Sequence, residues 1–326
     1  MQKIKTVILA VFSLVLLIAA PLVVNAQTTT GTTTGSGLSI SPTISEFTLK
    51  PGASANVTIT LKNITVDKVV AKGVVNDFTA DNATGNPKIL TNSTTPSPNS
   101  IQNFVYNLDD VPLARGQQKN VILGLQIPAG TTPGAYYGII RYTAVPAGTV
   151  APGPGQVALT ASVGTIVLIT VPGNIREQVQ VAGLHVYRDD REGTVFLNPP
   201  NKIGIEIKNF GNGFVRPFGT VEVHNMFNKT ITTYQFNNPK QLGNILPNSS
   251  RIFTQNIKGI NQPGRYTVTS SVSYGSGSQV LTLTKDFWYI PLWLLIIIAV
   301  VLLSLIYLIY RTYRRYKRSK RHSRRQ

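Results

Sequence analysis

The chain has 326 residues with no cysteine and three histidines, and its 31 Lys or Arg against 13 Asp or Glu give a formal net charge of +18. Without cysteine, disulfides, thiol catalysis, Cys-based zinc sites and iron–sulfur clusters are all excluded. The charge is no nucleic-acid signature: nine basic residues lie in the last sixteen positions and two near the N-terminus, so the remaining 20 against 13 acids leave only about +7 between them.

Lys3 and Lys5 precede an apolar stretch from Val7 to Ala20, Pro21 breaks it, and Val24-Asn25-Ala26 offers small residues where a signal peptidase cuts. Residues 1–26 therefore read as a signal peptide, with a retained first transmembrane helix as the alternative. Residues 27–37, QTTTGTTTGSG, form a flexible polar leader with too little apolar surface to order itself.

From Leu38 to Phe287 short alternating runs of Val, Ile, Thr and Tyr are punctuated by Gly, Pro and Asn, and no segment sustains a helical period. This predicts an all-β chain of two tandem β-sandwiches, residues 38–172 and 173–286. The joint is Val171-Pro172-Gly173-Asn174, after a long strand at 157–171. GTVAPGPGQ (148–156) reads as a hairpin tip. In the second sandwich, strands are expected near 177–188, 194–197, 203–209, 214–224, 229–236, 250–258, 264–274 and 278–286. Three places repeat a turn feeding a strand: Lys50-Pro51-Gly52 before 56–61, Ala114-Arg115-Gly116 before 120–125, and Leu246-Pro247-Asn248 before 251–257.

Residues 287–310 are apolar and long enough for one transmembrane helix. The tail, 311–326, carries Arg311, Arg314, Arg315, Lys317, Arg318, Lys320, Arg321, Arg324 and Arg325 and no acid. Positive charge this dense beside a span is retained in the cytoplasm, which predicts a single-pass type I protein of the plasma membrane with everything before the span outside. Trp288, Tyr289 and Trp293 at one end and Tyr307 and Tyr310 at the other match interfacial aromatic anchors, and Pro291 suits a helix first turn.

Little of the chain suggests catalysis or a cofactor. His185 and His224 stand in predicted strands with no nucleophile-elbow motif nearby, and Asp109-Asp110 and Asp189-Asp190 with Glu192 fall in turn-like contexts. Asp77, Asp81, Asn82 and Asn86 collect hard oxygen donors of the kind Ca²⁺ uses, but not at EF-hand spacing; the alternative is an Asx-rich connection between strands, and no metal site is assigned. Alternation in the strand around PGAYYGIIRY puts Tyr137 and Arg141 on one face and Tyr136 and Tyr142 on the other. Tyr137 and Arg141 are the candidate ligand-binding pair, the ring stacking on a sugar and the guanidinium meeting carboxylate or phosphate. The alternative is a set of core-packed tyrosines with an incidental surface arginine.

SPTISEFTLKPGASANVTITLKN (41–63), NDFTADNATGN (76–86), NLDDVPLARGQQKNVILGLQIP (107–128) and PGAYYGIIRY (133–142) together resemble the WxL-interacting proteins of the bacterial cell surface. The resemblance covers most of residues 38–172, and the second sandwich matches in outline through NFGNGFVRPFGTVEV (209–223) and ILPNSSRIF (245–253). Ala83-Thr84-Gly85-Asn86 and Tyr136-Tyr137-Gly138 stand where the family usually has a Thr-Asn and a Gly-Gly pair. The resemblance implies immunoglobulin-like sandwiches, the first binding peptidoglycan and the second contacting a secreted or surface protein, on a membrane anchor. The function expected is a non-enzymatic, cofactor-free scaffold or adhesion protein. Its rival is a membrane-bound accessory subunit, a chaperone or sensor, that holds exported clients by its strand edges.

Overall fold

The computed structural model describes residues 37–91, 95–146, 161–237, 243–275 and 279–322, the last eight as backbone only. The expected signal peptide, all of the leader but Gly37, the hairpin tip at 148–156 and the side chains of Arg315, Lys317, Arg318, Lys320, Arg321, Arg324 and Arg325 lie outside the described residues.

The first half is built from β1 (Leu38–Ser41), β2 (Ile44–Thr48), β3 (Ser54–Asn63), β4 (Val69–Asn76), β5 (Phe78–Ala80), β6 (Pro87–Ile89), β7 (Val105–Tyr106), β8 (Val111–Leu113), β9 (Gln118–Gln126), β10 (Gly134–Pro146) and β11 (Ser162–Val171). One sheet has the order β1-β3-β9-β7 and the facing sheet β2-β11-β10-β4-β8, while β5 and β6 make a separate hairpin. The alternation in β3 explains why it belongs here. Val57, Ile59 and Leu61 point inward and are buried, while Thr58, Thr60 and Lys62 point out. Ile59, Leu61, Leu123, Leu125, Ile140, Tyr142 and Ile169 close the core.

The second half repeats the plan with β12 (Val179–Arg188), β13 (Arg191–Glu192), β14 (Val195–Phe196), β15 (Lys202–Asn209), β16 (Phe218–Asn225), β17 (Thr230–Phe236), β18 (Ser250–Asn256), β19 (Gly264–Tyr274) and β20 (Gln279–Tyr289). Its sheets run β13-β12-β15-β18 and β14-β20-β19-β16-β17 around a separate core that includes Val186, Ile205, Val221, Val268 and Phe287. In both sandwiches a short strand lies parallel beside the last long one, β2 on β11 and β14 on β20. Antiparallel pairs join all the other neighbours, so both are immunoglobulin-like β-sandwiches.

The repeated turn–strand units share a geometry. Lys50, Ala114 and Leu246 each accept, through the carbonyl, the N–H three residues on. The third residue of each, Gly52, Gly116 and Asn248, has φ of 82°, 69° and 53°. Glycine and asparagine are the residues that take this left-handed conformation cheaply. A buried asparagine then ties two of these turns to the core. Asn63, at the end of β3, donates through Nδ2 to Asp67, Leu113 and Ala114 carbonyls, and Asn209, at the end of β15, donates to those of Gly213 and Ile245. Both side chains are fully buried.

After Tyr289 only Ile290 and Pro291 precede α1 (Leu292–His322). Its segment Leu292–Arg314, 23 residues with an 18-residue stretch of mean hydropathy 3.1, is apolar and long enough to cross a membrane. At 1.5 Å per residue it measures about 34 Å against about 30 Å of hydrocarbon. The helix begins five residues later than the span expected from 287. Residues 287–289 remain in β20, where Tyr289 pairs with Gly264 and is buried in the second core. Tyr289 is thus a core residue rather than an interfacial anchor; an apolar run alone does not separate a strand's end from a helix's beginning.

Candidate binding clefts between the sandwiches

The chain passes from β11 to β12 through residues 172–178, and the NFGNGF turn of the second sandwich folds back onto this crossing. Asn212 is the bridge. Its carbonyl accepts the Ala135 N–H at 2.8 Å, its Nδ2 donates to the Pro133 carbonyl at 3.1 Å, and its Oδ1 accepts the Arg176 N–H at 2.7 Å. Beside it a third apolar cluster joins the halves: Phe78, Tyr137, Ile139 and Leu168 come from the first sandwich, Leu246 and the partly buried Phe214 from the second.

This cluster decides the fate of the expected ligand pair. The alternation is as read, because Tyr142 is in the core and Tyr136 leans on Phe104 with ring centroids 5.1 Å apart. The opposite face, however, is covered. Tyr137 is only 9% exposed, its ring 5.1 Å from Phe78 and 6.1 Å from Phe214. Burial and the nearby charge of Asp77 push its hydroxyl pKa up. It is seam packing and not an open stacking platform. Arg141 is half-buried, with Nε donating to Asn76 Oδ1 at 3.1 Å.

Two clefts flank the seam. The first, about 540 Å³, is lined by Glu46, Phe47, Thr48, Leu168 and Thr170 of the first sandwich and by Glu177, Phe214, Val215, Arg216, Phe218 and Gly275 of the second. Glu46 and Arg216 form an ion pair across it, and Arg216 Nε also donates to Asn244 Oδ1. With both side chains over 40% exposed, this pair orients the halves more than it stabilises them, at about 0–1 kcal/mol.

One wall of the cleft is the outer edge of β2. The Thr43 carbonyl accepts the Ile166 N–H and the Leu49 N–H donates to the Thr170 carbonyl, so the odd-numbered residues face β11. Alternation turns the N–H and C=O groups of Ile44, Glu46 and Thr48 away from the sheet, where no described backbone group pairs with them. The edge is bordered by Phe218, 46% exposed, and by Phe214. An unpaired strand edge beside apolar side chains is the geometry that accepts an extended peptide as an added strand.

The second cleft, about 490 Å³, lies between Ala83 and Thr84 in the β5–β6 turn and the edge strand β18, with Tyr187, Lys202, Phe236 and Arg251 in its walls. Arg251 crosses the Phe253 ring with Cζ 5.1 Å from its centroid and has no carboxylate within ion-pair distance among the described residues. Burial lowers its pKa. Gly85 fits here for two reasons: its φ is +71°, and a Cβ would lie 2.6 Å from the Arg251 side chain.

The remaining sites separate. Asp77 is buried and accepts the Ser97 N–H at 2.7 Å and the Ser100 hydroxyl at 2.6 Å. Asp81 accepts from the Ala83 and Thr84 N–H groups and the Thr84 hydroxyl; the Thr84 bonds hold its pKa below the usual range. The two carboxylates therefore serve different turns. Among the described residues no group of three or more His, Cys, Asp or Glu is arranged to hold a metal ion. His185 sits 2.9 Å from Glu192 and 3.4 Å from Glu206, and His224 3.2 Å from Glu222 and 3.3 Å from the Thr230 hydroxyl. Trp288 and Trp293 are exposed near the start of α1, and Tyr307, Tyr310, Arg311 and Arg314 lie exposed toward its far end.

Glu46, Phe214, Arg216 and Arg251 are the site residues that sequence reading missed. Only NFGNGFVRPFG carried a signal, as an unusually Gly- and Phe-rich turn. No protein-family profile and no curated protein matches the sequence. Among solved structures, the class 5 fimbrial chaperone CfaA is 13% identical over 78% of this chain and 100% of its own, with a TM-score of 0.37. The E. coli chaperone DraB is 14% identical over 78% of this chain and 98% of its own at 0.34. The Pseudomonas aeruginosa chaperone CupB2 is 10% identical over 77% and 99% at 0.33. Likeness at this level adds nothing to the sandwich arrangement already described.

Proposed function

We propose that the chain is a non-enzymatic, membrane-anchored protein-binding module that holds an extended segment of an exported or surface protein along the edge of β2. The observation that carries this reading is the free β2 edge opening onto a cleft with Phe214 and Phe218 on its far side. Main-chain bonds from Ile44, Glu46 and Thr48 would supply affinity, alternate side chains of the client would enter the cleft, and Arg216 would favour a client acid. With α1 in the membrane and the basic tail inside, both sandwiches face outward.

The wall-polymer reading came from the family resemblance, and the platform expected for it at Tyr137 is packed into the seam. The two readings part in one experiment on the full chain. A photo-crosslinking residue at Thr48 in living cells should capture one recurring extended segment of an exported protein, and a control at Ile122 should not. Binding that segment should slow hydrogen exchange at Glu46 and Thr48. If Thr48 captures nothing and the protein instead pellets with purified peptidoglycan at low salt, the β2-edge reading is wrong.

A further inference from the structure

The last strand runs into the span almost without a joint. Trp288 N–H donates to the Thr194 carbonyl and Ile290 N–H to that of Phe196, so the chain is held in the sheet until two residues before α1. Three residues from Tyr289 to Leu292 reach about 10 Å at full extension. Whatever stands at this end of the second sandwich lies at that distance from the start of the helix.

What stands there is apolar and outward. In the sheet, Asn225 pairs with Tyr266 and Tyr266 with Phe287, so the β16–β17 turn projects from the same end as Tyr289. Asn225 Oδ1 accepts the N–H groups of Phe227 and Lys229, both at 3.0 Å, and fixes the turn with Phe227 79% and Met226 52% exposed. Met226 covers Gly264, the register partner of Tyr289. On the opposite flank Val195, in register with Trp288, is 59% exposed, Leu197 is 51% and Trp288 is 45%. One pole thus carries five large apolar side chains spread across a sheet.

Its charges are unbalanced. Arg188, Lys202 and Arg265 are paired with Asp189, Asp190 and Asp286. Arg191, Lys229 and Lys258 have no ion-pair partner among the described residues.

From this geometry we infer that the pole formed by Met226, Phe227, Val195, Leu197 and Trp288 rests in the outer headgroup layer of the bilayer that α1 spans, its unpaired cations against anionic lipid. The inference builds on the reading that α1 crosses a membrane. Amphipathic surfaces of this make-up, apolar side chains ringed by Lys and Arg, partition at the lipid interface. The second sandwich is then seated on the membrane rather than tethered above it.

The absence of native cysteine makes single-site labelling direct. Full-length chains with Phe227→Cys, Leu197→Cys, Ile122→Cys in the first sandwich or Leu303→Cys in α1 are nitroxide-labelled in nanodiscs, with and without phosphatidylglycerol. Labels at 227 and 197 should collide with a water-soluble nickel complex several-fold less than the label at 122, and with oxygen more. Phosphatidylglycerol should increase the protection. If 227 and 197 are as open to nickel as 122 while 303 is lipid-embedded, the seated pole is refuted and the anchor stands. Nickel access at 303 as well would overturn both.

Discussion

The seam makes a quantitative claim about how the two sandwiches support each other. Tyr137 is 9% exposed and its ring lies 6.1 Å from that of Phe214, at 55° between the planes. Truncating a buried aromatic to alanine costs about 3–5 kcal/mol, so Tyr137→Ala belongs near the lower half of that range because its cluster is small. Phe214 is only partly buried, and Phe214→Ala should cost about 1.5–2 kcal/mol. The pair itself is worth about 0.5–1.5 kcal/mol beyond the area it buries. The double variant should therefore be less destabilised than the sum of the singles by about 1 kcal/mol. Tyr137→Phe, which keeps the ring, should preserve most of that coupling. The assay is denaturant unfolding of the full chain in micelles, followed by circular dichroism. Tyr137→Ala should also split one transition into two as the halves lose their common cluster. Additivity within about 0.3 kcal/mol would refute the argument, because residues in contact across a packed seam couple by more than that.

Two further tests address the cores. The Tyr142 hydroxyl is fully buried without a hydrogen-bond partner among the described residues, and burial, with Asp109 and Asp110 adding, raises its pKa to about 12. The folded state holds this proton after the unfolded chain, with its pKa near 10, has released it, so stability should be intact below pH 10 and fall toward pH 12. Tyr142→Phe should flatten that limb and leave neutral-pH stability equal or about 1 kcal/mol higher, checked by urea midpoints across the pH range. Asn209→Ala strands the Gly213 carbonyl and the Gly211 N–H and removes one of two bonds to the Ile245 carbonyl, which keeps that from the Val215 N–H, and should cost about 2–4 kcal/mol by the same measurement.

The long strands of the second sandwich were legible because their alternation stands out, as in β19 with Tyr266, Val268, Ser270, Val272 and Tyr274 buried in turn, whereas the two-residue β13 carries no such pattern and was not anticipated. The three turns were legible too, since a left-handed third residue restricts the choice to Gly or Asn. The seam was not. Phe78, Tyr137, Leu168, Phe214 and Leu246 come from five separate segments, and a period of two says that a face is apolar without saying what covers it. The free edges of β2 and β18 were hidden for a related reason: which strand lacks a neighbour is a property of pairing over long separations. Arg251 had no local signal at all, being defined by a turn more than 160 positions earlier.

The continuity of β20 with α1 also fixes how the molecule carries tension. If a client is held at β2 as proposed and α1 is fixed in a membrane, a pull on it would enter at the first sandwich and leave through the helix, loading β20 from its C-terminal end. β20 is matched to β19 over eleven consecutive residue pairs, from Gly264↔Tyr289 to Tyr274↔Gln279. Load in that direction slides the two strands past one another and strains their bonds together, whereas load across the sheet would peel them one at a time. A strand pair loaded in this way yields late and abruptly.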